Sequence, residues 1–312
     1  MRVFFAGASG VIGRHLLPRL VEEGHEVTAL TRTPEKADAL RAAGTEPVVC
    51  DVLDANALTR AVVAARPEVV LQHLTDLPQD LNPRNMESAY AANDRVRGEG
   101  GANLLAASVE AGARRYVAQN VCFLYAPEGD SVKSEEARLF TDAPAPFDRT
   151  IEATQQMEER IVGAEGIEGI VLRFGLWYGP GTSFAPDGYS AGEVRRRRFP
   201  IVGDGGGVYS FVHVDDVAQA TMATFDRGAP GVYNVADDDP APMREWLPAY
   251  AEALGASRPW RVPSWLARLV AGRYAVYMAT ELRGASNEKA KRELGWTPRW
   301  PSWRHGFREA LG

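Results

Sequence analysis

The chain has 312 residues, a formal net charge of −6 at pH 7 and a hydrophobic content of 45%. That length can bury a large core in one α/β unit or two lobes, and the acidic balance argues against nucleic acid or an anionic membrane as the main partner. Cys50 and Cys122 are the only cysteines, which excludes a disulfide framework and a Cys-rich site, so we expect no metal. No run is long and apolar enough to span a bilayer, and the first apolar run shows no signal-peptide cleavage pattern. We therefore expect a cytoplasmic protein.

Short apolar runs alternate with stretches of helical spacing through the first half of the chain. Such runs are typical of buried parallel strands, and their alternation with helices predicts an α/β fold with a Rossmann-type doubly wound parallel sheet. After residue 174 the composition shifts toward glycine, proline and aromatic residues. We predict a dinucleotide-binding domain over 1–174, to which 209–236 returns, and a smaller, mainly substrate-binding C-terminal lobe over 175–312. The predicted strands are 3–6, 27–30, 47–50, 69–74, 116–119 and 170–174; the predicted helices are 15–23, 36–42, 55–65, 96–111, 151–162, 243–254, 264–271 and 287–294, and 209–226 is predicted as a strand followed by a helix.

A glycine loop follows the first predicted strand and precedes the first predicted helix. Gly7 permits the tight turn, Gly10 lets the backbone approach a pyrophosphate, and Gly13 allows close packing of helix on strand. The helix start adds free N–H groups and a positive dipole end for phosphate. This context predicts a dinucleotide site, whose loop residues are Gly7, Ser9, Gly10, Val11, Ile12, Gly13 and Arg14.

The choice between NADH and NADPH depends on the end of the second strand, about 20 residues past the loop, where an acidic residue binds the ribose of NAD. The sequence there is Leu30-Thr31-Arg32-Thr33, without an acid. Arg32 can pair with a 2′-phosphate instead, and Arg14 can add a second charge. NADP(H) is therefore the expected cofactor, with NAD(H) the less favoured one, and Asp51 after the third strand is placed to accept a hydrogen bond from the adenine amino group.

These features resemble the extended short-chain dehydrogenase/reductase family, the NAD-dependent epimerase/dehydratase group, nearly from end to end. The resemblance implies an oxidoreductase with a nicotinamide cofactor, often a homodimer, and it adds Val52, Leu74 and Asn93 to the expected cofactor-binding residues. The shared motifs are the glycine loop, Asp51, His73-Leu74, Asn93, Leu172-Arg173-Phe174-Gly175-Leu176-Trp177-Tyr178-Gly179-Pro180, Phe211-Val212-His213-Val214-Asp215-Asp216-Val217-Ala218, Val232-Tyr233-Asn234-Val235 and Glu293-Leu294-Gly295-Trp296-Thr297-Pro298.

The family's catalytic Tyr-x-x-x-Lys is missing: no tyrosine of this chain is followed four residues later by a lysine. When the family's glutamate is aligned on Glu159, Ile151 takes the tyrosine position and Gln155 the lysine position; a frame shifted by one gives Thr150 and Thr154. Val121 stands at the position of the family's serine or threonine. The usual proton donor is therefore absent in either frame, and no residue is predicted in the usual catalytic role.

The substrate position also departs from the family pattern, because Tyr209-Ser210 replace the arginine that grips the diphosphate of sugar nucleotides. Aromatic residues, Trp177 among them, remain nearby and favour a flat small-molecule aromatic substrate. The chain is similar in these respects to the atypical ketoreductases of angucyclinone antibiotic pathways, of the simocyclinone type. The residues that we expect to assist or to line the pocket are Asn120, Tyr125, Gln155 and Trp177.

The leading interpretation is an NADPH-dependent ketoreductase of an aromatic polyketide ketone, in which the substrate or water supplies the proton. Two alternatives stay open at this point, since fold alone does not determine function. One is a non-catalytic NADP(H)-binding sensor or assembly protein. The other is a non-redox isomerase or cyclase that keeps the cofactor only for its structure.

Overall fold

The computed structural model describes residues 1–77, 86–145 and 147–311, with the side chains of 86–89 and 310–311 left aside. Seven parallel strands form the central sheet in the order β12-β7-β5-β4-β1-β2-β3, which confirms the predicted fold class. The strands are β1 (Arg2–Ala6), β2 (Glu26–Thr31), β3 (Glu46–Val49), β4 (Val69–Gln72), β5 (Arg115–Val121), β6 (Val132–Lys133), β7 (Glu168–Phe174), β8 (Leu176–Tyr178), β9 (Ile201–Val202), β10 (Val208–Tyr209), β11 (Phe211–His213), β12 (Gly231–Val235), β13 (Ala241–Pro242), β14 (Arg261–Val262) and β15 (Gly284–Ala285).

Helices cover both faces of this sheet, as the apolar composition of its strands requires. One core contains side chains of β1 together with α1 and α8, and a second, on the other face, includes side chains of α3, α5 and α6. Among the described residues, no helix has the length and apolarity needed to cross a membrane. The helices are α1 (Val11–Glu22), α2 (Ala37–Ala42), α3 (Ala55–Ala65), α4 (Met86–Arg95), α5 (Gly101–Glu110), α6 (Phe147–Val162), α7 (Tyr189–Arg195), α8 (Val214–Ala223), α9 (Met243–Ala253), α10 (Ser264–Thr280), α11 (Glu288–Leu294) and α12 (Trp303–Leu311), with a 3₁₀ turn at Pro34–Lys36 and a π-helical turn at Val96–Gly100.

The C-terminal lobe has its own aromatic core rather than an extension of the sheet. Trp246 lies at its centre, and the rings of Tyr209 and Phe211 lie 5.1 and 5.3 Å from it. The described strands around these rings form two-stranded sheets, and burial of the rings contributes to the stability of this lobe. The strand expected at the start of 209–226 is accordingly short, since β11 pairs only with β8.

Two helices differ from the sequence prediction by nine or more residues at one end, while α1 and α6 each begin four residues earlier than predicted. The helix expected over 96–111 is the last part of a longer helical stretch that starts with α4 and passes through the π-helical turn. At its end Gly100 and Gly101 lie so close to the sheet that an added Cβ would come within 2.5 and 2.6 Å of Val52 and Gln72. The helix expected over 264–271 continues as α10 to Thr280 through a break at Gly272, where φ is 83°.

Candidate active site

The glycine loop joins β1 to α1 in a conformation that only glycine permits at its first position. Gly7 has a φ of +103°, and a Cβ there would lie 2.2 Å from the main-chain oxygen of His73. A Cβ on Gly13 would lie 2.0 Å from the main-chain oxygen of Ala8. These two contacts account for the first and third glycines, because the backbone leaves no space for a side chain.

The start of α1 fits an anionic cofactor. Gly10 caps this helix without a side-chain hydrogen bond, and the first turn contains no acidic residue. The first intrahelical bond runs from the N–H of Arg14 to Gly10, so the N–H groups of Val11, Ile12 and Gly13 remain available to phosphate oxygens. The arrangement fits the pyrophosphate of a dinucleotide, and Ser9 lies partly exposed in the same loop.

Arg32 lies directly after β2, as predicted, and its side chain is 61% exposed. Its guanidinium forms an ion pair of 2.5 Å with Asp76, a residue that follows β4 and that the sequence analysis did not single out. The main-chain N–H of Asp76 donates in turn to the Asn93 side chain at 3.1 Å. A 2′-phosphate at this edge of the sheet would therefore compete with Asp76 for Arg32.

The other expected cofactor residues also lie at the carboxyl ends of the strands, where ligands of open α/β sheets bind. Asp51 accepts the N–H of Leu53 through one carboxylate oxygen, which leaves the second oxygen for a ligand. Val52 is buried and its carbonyl accepts the Asn103 side chain at 3.0 Å. Leu74 is half-buried beside the sheet. The structure thus brings these residues and the glycine loop to one edge.

The two adjacent glutamates of α6 lie on different sides of the helix. Glu158 is the buried carboxylate and binds Arg173 of β7 at 2.5 and 2.8 Å, whereas Glu159 is exposed. Glu159 belongs to the frame with Ile151 and Gln155, and Glu158 to the frame with Thr150 and Thr154. Neighbouring residues of a helix point in different directions, so the two frames place different side chains on the inner face.

None of the side chains at these positions is a suitable acid. Thr150 donates to Asp94 at 2.8 Å, and Thr154 is buried. Ile151 lies on the inner face and is 2% exposed, while Gln155 points along the helix surface to Glu159 at 2.9 Å. Hydroxyls of threonine do not ionise in the working range of an enzyme, so α6 offers no counterpart of a lysine-activated tyrosine.

The end of β5 is occupied by a buried polar network. The Asn120 side chain donates to Glu158 at 2.5 Å and accepts from Arg97 at 2.9 Å. The Tyr125 hydroxyl accepts from Arg173 at 2.9 Å and donates to Asn234 at 2.7 Å. Burial raises the pKa of Tyr125 above its usual range. The side chains of Asn120 and Tyr125 therefore use their hydrogen bonds to hold β5, β7 and α6 together.

Val121 and Trp177 border this network from two strands. Val121, which the alignment places at the family's serine or threonine position, ends β5 and is partly exposed. Trp177 of β8 packs partly buried against the main core, and its indole N–H has no hydrogen-bond partner among the described residues. Tyr209, which stands at the diphosphate-binding position, is buried in the C-terminal core. Tyr209 thus belongs to the packed core, whereas Trp177 remains partly exposed beside the network.

Arg97 is the charged residue near this site that sequence reasoning missed. It lies in the π-helical turn, donates to Asn120 and to the Gln119 carbonyl, and borders a small cavity together with Thr154. Burial lowers the pKa of its guanidinium, although Asp94 and Glu158 oppose this effect.

His73, which the sequence analysis noted only as part of a motif, is buried with both ring nitrogens unpartnered among the described residues. Its ring lies 5.4 Å from Phe5, edge on, and burial lowers its pKa to about 3. His213 caps α8 by accepting the N–H of Asp215, and burial lowers its pKa to about 4. Both imidazoles are neutral at physiological pH, so neither is a general acid.

A parallel sheet of this order, a glycine cradle and an uncapped helix start are typical of a dinucleotide-binding α/β protein. A model of the NAD dependent epimerase/dehydratase family matches residues 3–236, which is most of the chain. The chain belongs to this family, and it is an NAD(P)-dependent oxidoreductase, as the sequence resemblance implied.

Three known proteins illustrate the range of its relatives. A 3-diazoavenalumate denitrifying reductase from a Streptomyces species is 45% identical over 309 residues, which cover 98% of this chain and 99% of that protein. A 4-hydroxy-2-methyl-3-oxo-4-farnesyl-3,4-dihydroquinoline-1-oxide ketoreductase from Stigmatella aurantiaca is 27% identical over 96% of this chain and 92% of its own. The solved structure of MoeE5 with UDP-glucuronic acid and NAD matches with a TM-score of 0.74 and 26% identity, over 100% of this chain and 98% of that one.

Proposed function

We propose that this chain is an NADPH-dependent reductase that transfers hydride to a diazonium group carried by a flat, conjugated small molecule, with loss of the group as N₂. The observation that carries the proposal is that Ile151 and Thr154 stand on the inner face of α6 and offer no ionisable proton donor, while the one carboxylate of that face, Glu158, is bound to Arg173. The reductase from Streptomyces, similar over its whole length, acts by its name on a diazo compound.

Reduction of a ketone and reduction of a diazonium group differ in whether a proton is needed. Reduction of a ketone adds a hydride to carbon and a proton to oxygen, and the family's tyrosine normally provides that proton. A diazonium group already carries the positive charge that a hydride neutralises: the hydride adds, the C–N bond breaks, N₂ leaves and a C–H bond forms. No proton from a side chain is consumed, so a site without an acid is sufficient.

When bound, NADPH supplies the hydride. The residues of the chain then have three tasks, which are to bind the cofactor, orient the acceptor and exclude water. The loop residues and Arg32 perform the first task. Val121, Ile151 and Thr154 form an uncharged wall beside the acceptor, and the network of Asn120, Glu158 and Arg173 keeps that wall rigid.

The preference for NADPH rests on Arg32 and on the lack of an acid at the end of β2. Arg32 is exposed, so its ion pair with Asp76 can be replaced by an ion pair with the 2′-phosphate of NADPH. Measurement of the dissociation constants of NADPH and NADH by tryptophan fluorescence tests this preference. Equal constants would contradict it.

A direct assay tests the reaction. The protein is incubated with NADPH and an arenediazonium salt, or with the diazonium form of an aminocinnamate, and the product is identified by mass spectrometry. We expect loss of both nitrogen atoms, gain of one hydrogen, and one NADPH oxidised per N₂ released. Oxidation of NADPH without N₂ release, or no substrate-dependent oxidation at all, would contradict the proposal.

A ketoreductase is the second candidate, favoured by the similar ketoreductase of Stigmatella aurantiaca, whose named substrate also contains a ring ketone. In this case a phenol beside the ketone, as in angucyclinone-like polyketides, stabilises the developing oxyanion in place of the tyrosine. A panel of phenolic ketones in the same assay separates the two candidates, because ketone reduction adds two hydrogens and releases no gas.

A further inference from the structure

A cavity of about 220 Å³ lies in the C-terminal lobe, between the segment that precedes α6 and helix α10. Its wall is largely apolar: the ring centroids of Phe140 and Tyr277 are 4.8 Å apart, and Pro144 and Val276 continue the lining. The Tyr277 hydroxyl donates to the Tyr125 carbonyl at 2.9 Å, which fixes the ring. At about 30 Å³ for each water-sized group, there is room for roughly seven non-hydrogen atoms.

The rim of this cavity is positively charged. Arg268 and Arg273 line it, and neither has an ion pair or a hydrogen bond with the residues that the structure describes. Glu281 is the one acidic residue of the lining. The surrounding segment 253–280 contains four arginines and no aspartate or glutamate, although the whole chain has a net charge of −6. An apolar wall with a cationic rim is suited to an amphipathic anion.

The cavity adjoins the inner face of α6 through a pair of stacked rings. Phe147, at the start of α6, lies 3.2 Å from Tyr274 between ring centroids at an angle of 12°, and Tyr274 lies 5.8 Å from Tyr277 of the cavity wall. Ile151 follows Phe147 by about one helical turn, or about 5.4 Å, on the same buried face. The stretch from Tyr277 through the stacked rings to Ile151 therefore spans roughly 10 to 15 Å.

We propose that this cavity is the subsite for the carboxylate end of the substrate, whose other end carries the hydride acceptor. The proposal rests on the proposed reductase function and adds a substrate class, namely flat unsaturated carboxylic acids. The guanidinium groups of Arg268 and Arg273 hold the carboxylate by charge-assisted hydrogen bonds, and the rings of Phe140 and Tyr277 flank the conjugated chain. Glu281 weakens the subsite through its like charge.

Binding of unreactive ligands tests the subsite without turnover. Cinnamate and its vinylogue with one more double bond, each as the acid and as the neutral amide, are titrated calorimetrically into the NADP⁺ complex. We expect Arg268→Ala and Arg273→Ala each to weaken binding of the acids by about 3- to 10-fold, since exposed charges are partly screened. Glu281→Gln should strengthen binding of the acids, and none of the variants should affect the amides.

Arg258→Ala is the matched control, because Arg258 is an exposed arginine of the same acid-free segment that does not line the cavity. Equal binding of the acids to the wild type, Arg268→Ala and Arg273→Ala would overturn the subsite, as would an equal loss in Arg258→Ala. If these variants behave as expected while no diazo or ketone substrate is turned over, the subsite stands and the proposed reaction fails. If diazo substrates are reduced with a KM that neither variant changes, the reaction stands and the subsite fails.

Discussion

Replacement of Arg32 by alanine tests the assignment of the 2′-phosphate site. A hydrogen bond to a charged group contributes about 1.5 to 3 kcal/mol. Arg32 is 61% exposed and must first leave Asp76, and an exposed ion pair of this kind is worth about 0 to 1 kcal/mol. The net loss in NADPH affinity is therefore about 1 to 2.5 kcal/mol, or roughly 5- to 70-fold, whereas the affinity for NADH, which lacks the phosphate, should change little.

Fluorescence titration of the free protein with both cofactors measures these constants independently of any substrate. Asp76→Asn is the matched variant: it releases Arg32 without removing it, so NADPH should bind more tightly by a factor of up to about 5. Arg14→Ala tests the second charge in the same way. The assignment would be refuted if Arg32→Ala lowered the affinities for NADPH and NADH by the same factor, because that result would indicate a general disturbance of the site.

Three further variants test the loop and the buried network. Gly13→Ala should bind NADPH at least tenfold more weakly, because its Cβ would lie 2.0 Å from the main-chain oxygen of Ala8. An unchanged affinity in fluorescence titration would show that the loop can move to accommodate the side chain. Glu158→Gln should lower the free energy of unfolding in urea by about 3 to 5 kcal/mol, because it leaves the buried Arg173 without a counter-charge. Glu159→Gln, at the exposed neighbouring position, should change this free energy little. Equal effects of the two variants would contradict the assignment of Glu158 to the buried face of α6. Tyr125→Phe should lose about 1 to 3 kcal/mol of stability, because the hydrogen bonds to Arg173 and Asn234 are removed, but it should retain activity. A loss of kcat by about a hundredfold or more, with cofactor binding intact, would identify Tyr125 as the proton donor.

The cofactor half of the site could be read from the sequence because its determinants are local. The spacing of Gly7, Gly10 and Gly13 between an apolar run and a helix reflects steric limits within a single turn. Strand and helix alternation likewise predicted the central sheet, since burial on both faces leaves a continuous apolar signature. The end of β2 and the turn after β3 then follow from the parallel topology.

The catalytic half was harder because it depends on which way a helix faces. Glu158 and Glu159 are adjacent in sequence, and only the contact with Arg173 shows which of them is buried. The spacing of Phe147, Ile151 and Thr154 along one face contained the same information, since residues three and four apart share a helix face. That spacing alone would have placed Glu158, and not Glu159, on the buried face.

Contacts between distant segments could not be read from the sequence. Asp76 meets Arg32 across 44 positions, and Arg97 meets Asn120 across 23. Neither pair follows from local spacing, since each joins residues from segments that are far apart in the chain. The cavity at α10 is of the same kind, because its wall combines residues around 140 with residues around 275.

The central claim is that hydride transfer here needs no proton from a side chain, and its pH dependence tests that claim most directly. The pKa values of His73 and His213 are lowered by burial to about 3 and about 4, and that of the Cys122 thiol is raised by burial to about 12, so none of these groups titrates near neutrality. The pKa of His15 is raised, chiefly by its hydrogen bond to Asp215, and His15→Gln serves as the control for its titration.

The measurement is the single-turnover rate constant of NADPH oxidation by a diazo substrate, followed by stopped flow in H₂O and in D₂O. We predict a rate constant that is constant between about pH 6 and pH 9, with a solvent isotope effect close to one, in the wild type and in His15→Gln alike. A rate constant that falls as a single group loses its proton, together with a solvent isotope effect well above one, would show that the protein does supply the proton and would contradict the account.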